Sequence, residues 1–119
     1  MKYMLLIYGE EKGLTDDLRG PCYEESTRLA QDLFASGKYL GANPLHPTAT
    51  ATSVRMRDGS PLITDGPFAE TREQLGGYFL INAENLDEAI SIARRIPAAR
   101  WGTVEIRPVL EMAGLPPSS

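Results

Sequence analysis

The sequence predicts an α+β fold: a ferredoxin-like sandwich with an inserted β-hairpin. Three observations predict it. Lys2–Tyr8 (KYMLLIY) and Tyr78–Ile81 (YFLI) are continuous apolar runs, the signature of strands covered on both faces. Each run leads into a segment whose apolar residues repeat at helical spacing. Between the two halves lies Asp58-Gly59, a strong two-residue hairpin signal.

The elements follow in chain order. Lys2–Tyr8 is the first central strand. Residues 9–20 (GEEKGLTDDLRG) read as a glycine-punctuated surface loop, with one helical turn at Thr15–Leu18. Pro21 suits a first helical position, and Glu24 and Glu25 suit the positive end of the helix dipole. Cys22, Leu29, Ala30, Leu33 and Phe34 fall on one face, and Gly37 stops the helix, which spans Pro21–Ser36. A short strand follows at Lys38–Ala42. Asn43–Pro47 (NPLHP) has two prolines, so it is a turn or a sheet edge. Thr52–Arg57 alternates, with Val54 and Met56 on one side, and Leu62–Thr64 is its hairpin partner. Tyr78–Ile81 is the second central strand. Asn85 with Glu88 three residues on has the spacing of a reciprocal N-cap; the helix carries Leu86, Ala89, Ile90, Ala93 and Ile96 and ends at Pro97. Val104 and Ile106 alternate with polar residues in a last strand. Residues 1–110 form one domain and 111–119 a loose tail.

In this plan both helices cover one face of the sheet. The central strands read as buried on both faces, and no segment supplies a third layer. A second copy of the chain does, which predicts a homodimer with sheet-on-sheet packing.

Composition narrows the function. Twelve basic against sixteen acidic residues give a net charge of −4, against a binder that grips nucleic acid through a general basic footprint. No run reaches the ~18 apolar residues of a membrane helix, and the first apolar run is too short for a signal-peptide core; the expected location is the cytoplasm. One cysteine and one histidine exclude a His/Cys zinc site, and no cofactor motif stands out. Gly76-Gly77 precedes a strand and lacks a Lys-Ser/Thr ending, so it is not a phosphate loop.

The segment Leu45–Gly77 holds the candidate chemistry. His46, the sole histidine, reads either as a general base or acid or as a surface residue in a proline-rich turn. Asp65 is a carboxylate able to fix its tautomer. Asp65-Gly66-Pro67-Phe68 also reads as a well-made turn, with Asp65 bonding amides ahead of it and Phe68 anchoring the loop. Arg72, Arg94, Arg95 and Arg100 are candidate anion ligands, and Arg72 is the one nearest this loop. Cys22 reads as a small apolar residue, or as a nucleophile if a base lies beside it. Trp101 reads as a core cap or a ligand stack.

MKYMLLIYGEE, TATSVRMRDG, TDGPFAETREQLGGYFLI and PAARWGTVEIRPV together resemble the YCII-related family, and specifically its DGPF branch, over about residues 1–110. The resemblance implies a ferredoxin-like, dimeric α+β barrel with a pocket between sheet and hairpin near the subunit interface. It implies an enzyme with a characteristic His and Asp, whose best matches here are His46 and Asp65. A similar protein is a dehydrochlorinase of chloroaromatic breakdown; related barrels are lactone isomerases and small monooxygenases. Members of this branch are often encoded beside extracytoplasmic-function sigma factors. Two functions follow as expectations. The first is a cofactor-independent proton transfer, elimination or isomerisation, on a small anion, with His46 and Asp65 catalytic and Arg72, Tyr78, Tyr8 and Phe68 at the substrate. The second is a non-catalytic ligand sensor, or an adaptor for a sigma factor.

Overall fold

In the computed structural model, whose described residues are 1–11 and 16–117, the elements are β1 (Lys2–Gly9), α1 (Asp16–Ala35), β2 (Tyr39–Pro44), β3 (Thr52–Arg57), β4 (Ser60–Asp65), β5 (Gln74–Asn82), α2 (Leu86–Ala93) and β6 (Thr103–Pro108). Short 3-10 turns occupy Thr48–Thr50 and Pro97–Arg100. One antiparallel sheet has the strand order β2-β5-β1-β6, and β3 and β4 form a separate hairpin. This is the ferredoxin-like α+β order, with the two apolar strands central.

Register shows why. Leu5 of β1 stands opposite Phe79 of β5 and Ile106 of β6. Tyr3, Leu5, Phe79 and Ile81 pack with Leu29 and Leu33 of α1 and with Ala89, Ile92 and Ala93 of α2 in one core. Strand alternation then turns Met4, Leu6, Tyr8, Tyr78 and Leu80 to the opposite face, where they remain half-buried. Among the described residues, that face carries no helix. Asn85 caps α2 as its spacing predicts, its side-chain oxygen accepting the Glu88 amide at 2.9 Å. Asp58 (φ 51°) and Gly59 (φ 78°) form the hairpin turn, both in the left-handed region a tight connection needs.

Three local expectations are corrected. Helix α1 begins at Asp16, not Pro21, and carries Pro21 inside it. The ring removes a hydrogen bond only near the solvent-exposed start, and Asp17 favours the helix N-terminus. Thr15, first residue of the expected turn, lies outside the described residues. Phe34 is 74% exposed instead of core; on the last turn its ring meets Tyr39 edge-on at 6.4 Å. Helix α2 stops at Ala93, because Ile96 before Pro97 is extended (φ −73°, ψ 124°), as a residue before proline prefers. Leu86 and Ile90 are exposed, and Ile92 takes the core position.

The hairpin stands away from this core. All its residues except Ser53 are exposed, and Val54, Met56 and Ile63 share one bare apolar face. Accordingly the radius of gyration is 16.0 Å, against about 13.5 Å for a compact chain of this length. The accessible surface is 8640 Å², where a 13.0 kDa monomer typically exposes about 6,300 Å².

Candidate functional site

Helix α1 carries small or polar side chains toward the sheet at Cys22, Ser26 and Ala30. Opposite them lie Ala42, Gly77 and Ala98, also small. Large side chains would fill this space, as Leu29 and Leu33 do further along the helix. The result is a cavity of about 420 Å³ between α1 and the ends of β1, β2 and β5. Ile7, Phe79, Pro97, Tyr23 and Trp101 give it a largely apolar wall. Gly77 is needed at its floor: a Cβ there would come within 3.0 Å of the Asn43 carbonyl oxygen.

The rim is tied by polar contacts. The Glu11 carboxylate accepts the Thr48 amide at 2.8 Å and the Thr48 hydroxyl at 2.9 Å. Glu10 pairs with Arg72 at 2.5 Å. Thr103 donates to Glu73 at 2.7 Å. Beside Cys22, Arg100 clamps Glu25 with bonds of 2.9 and 3.1 Å and stands over the Trp101 ring at 5.8 Å. Arg19 enters the wall from the first turns of α1, and its Nε is buried with no hydrogen-bond partner.

Three of these groups, Cys22, Glu25 and Arg100, have displaced acidities. Burial pushes the Cys22 thiol above its usual 9.0, with Arg100 pulling down and Glu25 pushing up. That makes it a poor nucleophile at neutral pH. The hydrogen bonds from Arg100 hold the Glu25 carboxyl below its usual 4.5. A depressed folded value means the pair stabilises the fold above about pH 4.5 and loses that contribution as the pH falls through the Glu25 transition. In Arg100→Met, a carboxyl-detected NMR titration should move Glu25 upward toward 4.5; an unmoved Glu25 would contradict this cause.

The residues singled out from the sequence are dispersed. Tyr78 borders the cavity where β5 passes beneath α1, but its side chain stands on the helix-free face, its hydroxyl accepting a bond from Asn43 Nδ2 at 2.9 Å. His46 is exposed, between Leu45 and Pro47, which both belong to the wall while His46 does not. Asp65 is the last residue of β4, paired with Thr52 and exposed. Among the described residues no hydrogen bond or ion pair joins His46 to Asp65. Arg72 has its charge met by Glu10. Tyr8 lies on the helix-free face. Phe68 is 80% exposed and does not anchor its loop. The Asp65–Phe68 turn is held instead by Gly66 donating to Ala51 at 2.7 Å and by Ser53 donating to the Gly66 carbonyl at 2.8 Å.

Sequence reasoning missed Arg19. Its signal is the spacing Arg19, Cys22, Ser26, Ala30 on one helix face, which a helix starting at Pro21 leaves incomplete. Trp101, read mainly as a core cap, is a half-exposed wall residue. This cavity lies between α1 and the sheet.

Comparison with known proteins gives the chain its family. An uncharacterised protein of Rhizobium meliloti (strain 1021) is 37% identical over 118 residues, covering 92% of each chain. The pattern of the YCII-related domain matches residues 1–113, nearly the whole chain and all eight elements. The chain therefore belongs to the YCII-related family.

Proposed function

We propose that the protein acts on a small molecule, as a homodimer, and that the molecule sits in the cavity beneath α1. The observation that carries this reading is the cavity itself: about 420 Å³, apolar-walled, with a few polar groups converging on it. That is the usual size and make-up of a small-molecule site. Within the family we place the chain in the DGPF branch, on Asp65–Phe68 and Gln74–Gly77.

The chemistry in this reading is cofactor-independent elimination or isomerisation. A base removes a proton from carbon beside a carbonyl; the electron pair then expels a leaving group or shifts a double bond. His46 is the base in this reading, supported by its flanking residues Leu45 and Pro47, which line the cavity. Asp65 orients it once the partner chain packs the hairpin inward. The homodimer draws support from area. The chain exposes roughly 2,300 Å² more than its mass predicts, and an obligate homodimer hides about 1,000–2,500 Å² per protomer.

Deuterium exchange at the α-carbon of small carbonyl-bearing anions, read by NMR, tests the reaction. The wild type should speed exchange, and His46→Ala should slow it about 100-fold. Undiminished exchange in His46→Ala would remove His46 from the mechanism.

A second reading is a non-catalytic ligand sensor, or an adaptor for an extracytoplasmic-function sigma factor. The bare apolar face of Val54, Met56 and Ile63 favours it, as a surface for a protein partner. Ligand binding without any exchange would support the sensor.

A further inference from the structure

We propose that Arg19 is the anion anchor of the cavity, and that the occupant is a flat, mostly apolar molecule bearing one carboxylate. This rests on the reading that the cavity takes a small molecule. A guanidinium stays charged at any physiological pH. Its Nε here is buried without a partner, and a buried charged donor left unpaired is costly. The neighbouring arginines are already engaged: Arg72 with Glu10, and Arg100 with Glu25. Among the described residues of the wall, Arg19 is therefore the cation whose hydrogen-bonding capacity points to a ligand.

The remaining wall defines the rest of the molecule. Trp101, Tyr23, Phe79 and Pro97 offer flat apolar surfaces. The carboxylates that reach the wall are engaged too, Glu11 by Thr48 and Glu10 by Arg72. Their negative charge nonetheless disfavours a doubly charged ligand. One fork-shaped donor set suits one carboxylate, which can accept two parallel bonds from it.

Trp101 is the only tryptophan, so its fluorescence reports the cavity directly. Full-length protein is titrated with benzoate and with its neutral counterpart benzamide. Benzoate should bind roughly 10- to 100-fold tighter. Arg19→Met should abolish that preference, and Arg19→Lys should keep part of it. Slower alkylation of Cys22 in the presence of either probe locates binding at the same wall. Equal binding of both probes, or a preference that survives Arg19→Met, would overturn the anchor while leaving the small-molecule reading intact. No response to either probe would overturn both. Should Arg19→Met fail to fold, the wild-type preference and Arg19→Lys decide the matter.

Discussion

Substituting Gly102 by alanine should destabilise the protein by about 3 kcal/mol, the upper range for overpacking, and lower its Tm by roughly 12 °C. Gly102 joins the Pro97–Arg100 turn to β6. A Cβ there would stand 2.2 Å from the Tyr8 carbonyl oxygen and 3.2 Å from Gly9 Cα. Both are backbone atoms of β1, which no rotamer change can move aside. Relief requires β6 to lift away from β1, beginning at the Tyr8–Thr103 pair. The same movement would shift Trp101 and open the cavity wall. Gly41→Ala is the control, since nothing lies within 4 Å of a Cβ at that site; its effect should stay within about 0.5 kcal/mol. Thermal unfolding followed by circular dichroism measures both. A Gly102→Ala protein as stable as the control would show that β1 and β6 are not held this closely.

Leu6→Glu should convert a dimer into a folded monomer. Leu6 lies on central strand β1, on the helix-free face, between Tyr78 and Glu105. A sheet-on-sheet interface would bring two such glutamates together, desolvated and of like charge. We expect dimer affinity to fall on the order of 10³-fold. The core is on the other face, so far-UV circular dichroism should not change. Sedimentation equilibrium reads the outcome: wild type at twice the chain mass, and variant at the chain mass. A wild type that stays monomeric at high micromolar concentration would contradict the homodimer.

Much of the fold was legible because its periodicities are strong. The continuous apolar strands Lys2–Tyr8 and Tyr78–Ile81 sit at the centre of the sheet, and Thr52–Arg57 and Asp58-Gly59 build the hairpin as read. Asn85 caps α2 by the bond its spacing implies. The start of α1 was not legible, because Pro21 is at home both at a first helical position and, at some cost, one turn later. That ambiguity hid Arg19. The cavity was illegible for a different reason: a void is made by what is small on two elements at once. Cys22, Ser26, Ala98 and Gly77 are unremarkable along the chain and meaningful only across it. Asp65 and His46 drew attention by residue type, yet the single chain leaves both exposed.

The most direct measurement is backbone amide chemical-shift mapping with a saturating small carboxylate. If the cavity beneath α1 is the site, the shifts should centre on Ile7, Cys22, Ser26, Ala98 and Trp101, and fade along β3 and β4. Shifts confined to His46, Asp65 and the hairpin, with the α1 face unmoved, would place the site elsewhere and contradict the account.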